Sequence, residues 1–209
     1  MYTKLTLLSL IFSVALSASN IQTTKDEFKK AIKKTELKQT TTSSNTPNST
    51  QIRKKLTIAD ATLLSVNSLR TTPQICSKAT TKLRWNKGLY QVAKEHSIDM
   101  AVNQKLSHDG TGTQHDTTAQ RLGLKRGSHF YERVNQKENS KEILSGELVT
   151  RSNVSLKSPK DLLNYWIARP EDCKVIMDSR FTDIALAQVI SNKDNKTYWT
   201  LMLIGPRKK

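Results

Sequence analysis

The segment from Trp85 to His108, WNKGLYQVAKEHSIDMAVNQKLSH, constrains the fold more than any other part of the chain. Inward-facing residues recur in it at the spacing of a helix, at i, i+3, i+4, i+7 and i+11. These positions are Leu89, Val92, Ala93, His96 and Met100. Asn86 is suited to cap the start of the helix, which should fade before the Gly-containing turn at 107–110. The pattern predicts one long amphipathic helix that presents His108 at its exit.

Further helices and a β-hairpin are predicted around this segment. Thr57 and Asp60 form a capping box that begins a helix ending near Arg70, and Ser158-Pro159 begins another that ends at residue 169. A short helix is predicted at 117–122, whereas 130–134 and 143–149 are ambiguous. Alternating residues at 184–190 and 198–204, on either side of a turn at 192–195, predict a hairpin. Helices combined with antiparallel strands indicate an α+β domain.

The first residues have the layout of a secretory signal peptide. Lys4 is followed by an apolar stretch over 5–16 and by small residues at 17–19. We therefore expect residues 1–19 to be a cleaved signal, and the mature protein to be secreted or periplasmic. An uncleaved N-terminal anchor is the alternative. No other segment is apolar for long enough to span a bilayer, so no transmembrane span is expected after cleavage.

Residues 20–56 differ in composition from the rest of the chain. Residues 25–38 are rich in lysine, with a weak apolar stripe that can form a solvated linker or lie on an anionic membrane. Residues 39–50 are a low-complexity stretch of Ser, Thr, Gln and Asn. We interpret 20–56 as a basic, Ser/Thr-rich tether and 57–207 as the folded domain.

The formal net charge of +16 favours anionic partners. The basic residues are scattered, however, and no run of them alternates with aromatic residues as in a nucleic-acid platform. Nucleic acid is therefore not the expected partner. Adhesion to anionic surfaces through charge alone remains an alternative role.

The only cysteines are Cys76 and Cys173. Their separation does not suit a zinc cluster or a thioredoxin-like site. Two lone cysteines in an exported protein most often form one structural disulfide. A bridge that closes a loop of about a hundred residues stabilises the fold by roughly 4–5 kcal/mol in the chain-entropy model. A free nucleophilic cysteine is the alternative.

Three groups of motifs together resemble one family. They are Leu83-x-Trp85-Asn86-x-x-Leu89 with Ala93-x-x-His96-Ser97-x-Asp99-Met100 and Ser107-His108-Asp109-Gly110; Gly146-Glu147 with Trp166, Pro170, Cys173 and Ile176-Met177; and Phe181-Thr182-Asp183-Ile184-Ala185 with Tyr198-Trp199-Thr200. In this order they resemble the CAP superfamily, also called the SCP domain, and its compact prokaryotic branch in particular. The resemblance covers about residues 58–206. It implies an α-β-α sandwich with a central antiparallel sheet and a cleft on one side. It also implies that the cysteine bridge matches one found in some bacterial members.

In many members of this family the cleft holds histidines and acidic residues that bind a divalent metal such as zinc. The resemblance implies that His108 is the first histidine and Glu147 the acid of the Gly-Glu-Asn motif, although Leu148 replaces the asparagine. Asp172 stands where the second histidine is expected. A carboxylate there would shift the site towards calcium. The alternatives are a zinc or calcium site of His108, Glu147 and Asp172, or a polar cleft without metal.

The remaining histidines and acids have simpler interpretations. His96 is predicted to be a hydrogen-bonded core residue, and Glu132 is a rival for the cleft acid. Nothing in the spacing connects His115 or His129 to the site.

The sequence carries no hydrolytic signature: Gly-x-Ser-x-Gly, His-Glu-x-x-His and phosphate loops are absent. The resemblance thus favours an exported binding module, with an amphiphile, a cell-envelope component or a protein as its ligand near His108. The alternative is a metal-dependent or acid/base hydrolase with His108 and Glu147 as catalytic residues.

Overall fold

The computed structural model describes residues 56–138, 143–153 and 155–206. The predicted signal peptide and nearly all of the predicted tether lie outside these residues. Six helices and four strands are present in the described part of the chain, which we number in chain order. They are α1 (Ile58–Arg70), β1 (Arg84–Trp85), α2 (Lys87–Asn103), α3 (Thr117–Leu122), α4 (Phe130–Glu138), β2 (Ile143–Ser152), α5 (Pro159–Ile167), α6 (Pro170–Met177), β3 (Asp183–Ile190) and β4 (Thr197–Pro206).

Three helices begin at the side-chain caps that the sequence predicts. The Thr57 hydroxyl accepts a hydrogen bond from the backbone N–H of Asp60 at 3.1 Å, and the Ser158 hydroxyl does the same for Asp161 at 3.2 Å. The Asn86 side chain accepts from the N–H of Leu89 at 2.9 Å. Each cap satisfies a backbone donor that the first turn of a helix leaves without a partner.

The long helix α2 is shorter than the stretch from Trp85 to His108. Because Asn86 is the cap, Trp85 lies outside the helix and pairs in parallel with Ile184 of β3. Gln104 ends the helix in the left-handed conformation, with a φ of 54°. His108 therefore lies in the loop after α2, five residues beyond Asn103, in the turn before which the helix was predicted to fade.

The four strands form one sheet in the order β1-β3-β4-β2. The pairings of β4 with β3 and with β2 are antiparallel, which confirms the predicted hairpin. The two ambiguous segments form different structures: 130–134 belongs to α4, and 143–149 belongs to β2.

Both faces of the sheet are buried under helices. On β4, Trp199, Leu201 and Leu203 face a core cluster that includes residues of α1, α5 and α6. Met202 and Ile204, on the other face, pack in a cluster with residues of α2 and α4. The arrangement is an α-β-α sandwich, as the family resemblance implies.

A disulfide and the hydrogen bonds of one buried arginine connect α1 and the loop after it to α6. Cys76 forms a disulfide with Cys173, as predicted, with a Cα–Cα distance of 6.0 Å. The buried guanidinium of Arg70 donates to Thr81 O at 2.7 Å and to Asp178 O at 3.1 Å. It also donates to Ile176 O near the end of α6. Within the described residues, no helix has the length and apolar character needed to cross a membrane.

Candidate functional site

The loop that carries His108 is fixed by a close backbone contact. The N–H of Gly110 donates to Ser128 O at 2.7 Å. A Cβ atom on Gly127 would lie 1.7 Å from the carbonyl oxygen of Gly110. No residue larger than glycine fits there without moving the backbone, so the two loop segments are held together directly beside His108.

Asp116 is a second anchor of this loop. Its buried carboxylate accepts from the backbone N–H of Ser128 at 2.8 Å and from the Ser128 hydroxyl at 2.6 Å. It also accepts from the N–H groups of Gly112 and Ala119, at 3.1 and 3.2 Å. Four donors on one carboxylate leave the loop few alternative conformations, so the position of His108 is well defined.

Glu147 lies on β2, opposite Met202 of β4, and its side chain is only 1% exposed. Both of its carboxylate oxygens are engaged. Nδ1 of His108 lies 2.9 Å from Oε1, and Nη2 of Arg133 donates to Oε2 at 2.8 Å. The structure thus brings the two main predicted site residues, His108 and Glu147, into direct contact.

Arg133 of α4 joins the carboxylate to the loop. Besides Glu147, its guanidinium donates to His108 O at 2.8 Å and to Ser128 O at 2.8 Å. The side chain is 1% exposed, so this is a buried ion pair. The extra bonds satisfy both Nη groups and position the backbone of His108 as well as Glu147, whereas Nε of Arg133 has no hydrogen-bond partner among the described residues.

His96 is a hydrogen-bonded core residue, as predicted. Its Nε2 donates to the carbonyl of Ser107 at 2.8 Å, and the residue is 1% exposed. The same nitrogen is 3.9 Å from Oε1 of Glu147. His96 therefore holds the backbone of Ser107, the residue before His108, from the core side. Its own ring is not presented to solvent.

Burial and charge shift the pKa values of these groups in different directions. The hydrogen bond to Glu147 raises the pKa of His108 against the opposing effect of burial. Burial acts to raise the pKa of Glu147, but the bond from His108 and the charge of Arg133 outweigh it and hold that pKa below its usual value. Burial, together with the charge of Arg133, lowers the pKa of His96. At neutral pH, His96 is thus neutral and Glu147 is ionised. His108 is protonated more readily than an ordinary histidine.

The donor set around Glu147 does not suit a metal ion. Both carboxylate oxygens are occupied by His108 and Arg133, and a guanidinium beside the carboxylate repels a cation. Within residues 56–138, 143–153 and 155–206, no group of three or more His, Cys, Asp or Glu side chains can hold a metal. Asp172 instead pairs with Arg169, the residue that precedes its helix α6, at 3.0 Å. The structure does not bring Asp172 to the His108–Glu147 pair.

The other acids and histidines take separate positions. Glu132, the rival for the site acid, pairs with Arg126 at 2.6 Å instead of with His108. His129 lies 2.6 Å from Asp109, the residue that follows His108. Sequence spacing gave no reason to connect His129 with this region, because the close contact of the two loop segments is tertiary. The same is true of the role of Arg133 as the partner of Glu147.

Chemically, the site holds one ionised carboxylate with no free oxygen and one histidine that reaches solvent. The His108 side chain is 59% exposed, against 1% for Glu147. With Nδ1–H donating to Glu147, Nε2 is the ring nitrogen left to meet a ligand. When His108 is protonated, that nitrogen offers a charged hydrogen-bond donor.

These features define an α-β-α sandwich domain that presents a histidine held by a buried carboxylate. The sequence matches the model of the cysteine-rich secretory protein family, CAP, over residues 63–203, which is more than half of the chain. The chain therefore belongs to the CAP family.

One solved structure with a TM-score above 0.5 agrees with this fold, and two others share part of it at lower scores. An outer surface protein from Borrelia burgdorferi is similar with a TM-score of 0.51 and 14% identity, over 69% of this chain and 89% of its own. An extracellular SCP-domain protein from Bacillus anthracis has a TM-score of 0.49 and 18% identity, over 77% of this chain and 45% of its own. A cysteine-rich secretory protein from Staphylococcus aureus has a TM-score of 0.45 and 11% identity, over 81% and 44%. The comparison with curated proteins gives no match.

Proposed function

We propose that this CAP-family chain is an exported binding module that captures its ligand at His108. The ligand classes are a lipid or other amphiphile, a cell-surface component, or a protein. Export is proposed because the first nineteen residues have the layout of a signal peptide. A soluble domain that follows a tether is suited to contact surface components outside the cell.

The proposal rests on one observation, which is that both carboxylate oxygens of Glu147 are already hydrogen-bonded. An acid/base enzyme needs a carboxyl or imidazole that can exchange a proton with the substrate. Both oxygens of Glu147 are engaged and buried, and its pKa is lowered. It is suited to orient His108 and not to transfer protons itself. His108 favours the charged form because its pKa is raised, which suits a donor to an anionic or polar ligand group and not a general base.

Ligand binding by purified protein tests the proposal. The probes are a fluorescent fatty acid, as the amphiphile, and isolated peptidoglycan, as the cell-surface component. We expect His108→Gln to weaken binding of one of them by about tenfold, the loss of one charge-assisted hydrogen bond. Lys105→Gln, which removes a positive charge from an exposed lysine in the loop after α2, should leave the affinity unchanged.

The salt dependence separates specific capture from adhesion through net charge. Adhesion to an anionic surface by the net charge of +16 would collapse as salt is raised and would not distinguish the two variants. Equal binding by wild type and His108→Gln, with loss in high salt, would contradict capture at His108.

The hydrolase alternative is tested separately. Wild type and a His108→Ala/Glu147→Ala double variant are incubated with peptide and cell-wall substrates, and released products are quantified by mass spectrometry. We expect no turnover that depends on these two residues. Product release that the double variant abolishes, while circular dichroism shows it to be folded, would favour the enzyme.

A further inference from the structure

A cavity of about 320 Å³ lies on the outer face of α2 and shares no lining residue with the His108–Glu147 site. Gln91, Lys94, Glu95 and Ile98 line it from α2. This spacing places them on one side of the helix, while His96 faces the core. The opposite wall comes from the loop before α3, from the first residue of α3 and from the last turn of α4. The CAP-family site does not use this cavity, and its chemistry is distinct.

Basic groups dominate the cavity. Lys94 and Lys137 approach it from two different helices, and His115 contributes an imidazole. Neither ammonium group forms an ion pair with a carboxylate among the residues that the structure describes. Two lysines that face the same concave space and lack an acidic partner favour an oxyanion between them.

The single carboxylate of the cavity, Glu95, is already balanced. Its Oε1 accepts from the backbone N–H of Thr118 at 2.6 Å, and Arg121 donates to Oε2 at 3.3 Å. Its side chain is 10% exposed. The carboxylate therefore does not cancel the field of the lysines.

The wall opposite α2 is held in place before any ligand arrives. The amide of Gln120 donates to the carbonyl oxygens of Gly112 and Thr113, at 3.1 and 3.0 Å, which braces the loop that carries Gln114 and His115. Gln114 and His115 are themselves 3.3 Å apart, between Nε2 and Nε2. A preformed wall reduces the conformational entropy lost on binding. These bonds thus brace the loop side of the cavity, which also carries the basic group of His115.

We infer that this cavity binds a small hydroxylated anion, namely a sugar that carries a carboxylate or a phosphate group. The two lysines and His115 bind the oxyanion. The amides of Gln91 and Gln114 meet the hydroxyl groups, and Ile98 contacts the apolar face of the sugar ring. A neutral sugar lacks the oxyanion, and inorganic phosphate lacks the hydroxylated ring, so each fills only part of the cavity.

NMR titration of the ¹⁵N-labelled protein tests this inference. The ligands are glucuronate and glucose 6-phosphate, which distinguish the carboxylate source from the phosphate source, with glucose and inorganic phosphate as partial ligands. We expect saturable shifts of α2 amides with at least one of the sugar anions. Lys94→Gln/Lys137→Gln should raise its Kd by about tenfold or more, through lost charge-assisted bonds.

The control is Lys105→Gln/Lys160→Gln, which removes two exposed lysines that do not line the cavity. Thermal unfolding checks that both double variants are folded. Unchanged affinity in the control supports the site. The inference is overturned if neither sugar anion gives saturable shifts at α2, if glucose binds as tightly as both anions, or if the control loses as much affinity as the cavity variant.

Discussion

His108 and Glu147 form a pair in which the buried partner sets the properties of the exposed one. The bond from His108 to Glu147 is the largest influence on the histidine and raises its pKa. We therefore expect Glu147→Gln to lower the pKa of His108, measured from the ring proton shifts in an NMR pH titration. Asp109→Asn is the control, since Asp109 also raises the pKa of His108 but has a smaller effect than Glu147. An equal change in both variants would contradict a specific role for Glu147.

The pH dependence of stability follows from the same shift. A histidine whose pKa is raised by folding stabilises the fold fully below its ordinary pKa of 6.5, and this contribution is lost as the pH rises through the raised value. His108→Gln should thus lose more unfolding free energy at about pH 5 than at about pH 8. Urea denaturation at both pH values measures this. A larger loss at the higher pH would contradict the direction of the shift.

The neighbouring His96 makes the stability of the fold depend on pH in the opposite direction. Its pKa is lowered by burial, so its neutral form stabilises the fold above 6.5, and that stability is lost as the pH falls through the lowered value. The comparison of His108→Gln with wild type removes this background, because His96 is present in both proteins.

Glu147 also neutralises a buried guanidinium. Removing one partner of a buried ion pair leaves the other charge unpaired in the core, and we expect Glu147→Ala to cost about 3–5 kcal/mol of unfolding free energy. Glu132→Ala is the matched control, because its partner Arg126 is half exposed. Its loss should be much smaller. Chemical denaturation that gives equal losses would show that Arg133 does not depend on Glu147.

Sequence reasoning predicted His108, Glu147 and the core position of His96, and it missed Arg133 and Arg70 as connecting residues. The core position of His96 follows from the helical period, and the roles of His108 and Glu147 follow from the family resemblance and its motifs. The two arginines act through tertiary contacts, since Arg70 donates to residues more than a hundred positions away. No local pattern specifies such partners. The ligand set with Asp172 came from the family resemblance alone, and in the structure Asp172 pairs with Arg169 instead.

At the level of elements, the N-caps at which helices begin were the most predictable features of this chain. Thr57, Asn86 and Ser158 cap the helices that the sequence assigns to them, because a cap is a contact between residues three apart. The ends were less predictable. Gln104 ends α2 in a left-handed conformation that is uncommon for glutamine, and residues 143–149 did not distinguish strand from helix because their burial depends on β4.

The disulfide connects the loop after α1 to α6 across 97 residues of sequence. We expect Cys76→Ser/Cys173→Ser to lose about 4 kcal/mol of unfolding free energy, mainly because the unfolded chain gains freedom. Chemical denaturation without reductant measures this loss. Wild type with reductant should reproduce it. A variant as stable as oxidised wild type would show that other contacts, such as those of Arg70, are sufficient to hold α6.

At the scale of the whole molecule, the family resemblance predicted the α-β-α layers that local patterns left undefined. Helices and a hairpin in the sequence indicate only an α+β class. Which helices cover which face depends on long-range packing, such as the two opposite faces of β4. The motifs at Leu83–Gly110 and Phe181–Thr200 carried that information because their order and spacing are typical of a family with one packed arrangement.

The proposed division at residue 57 has a direct consequence for stability. Because Thr57 caps α1, a chain that begins at Lys54 keeps every described helix and strand together with this cap. We expect it to unfold at the same urea midpoint as a chain that begins at Asn20, after the predicted signal. Thr57→Ala in the longer chain calibrates the measurement, since loss of a cap costs about 1 kcal/mol. A midpoint for the Lys54 chain that falls as far as that of Thr57→Ala would place stabilising contacts in residues 20–53, and the domain would then begin before residue 57.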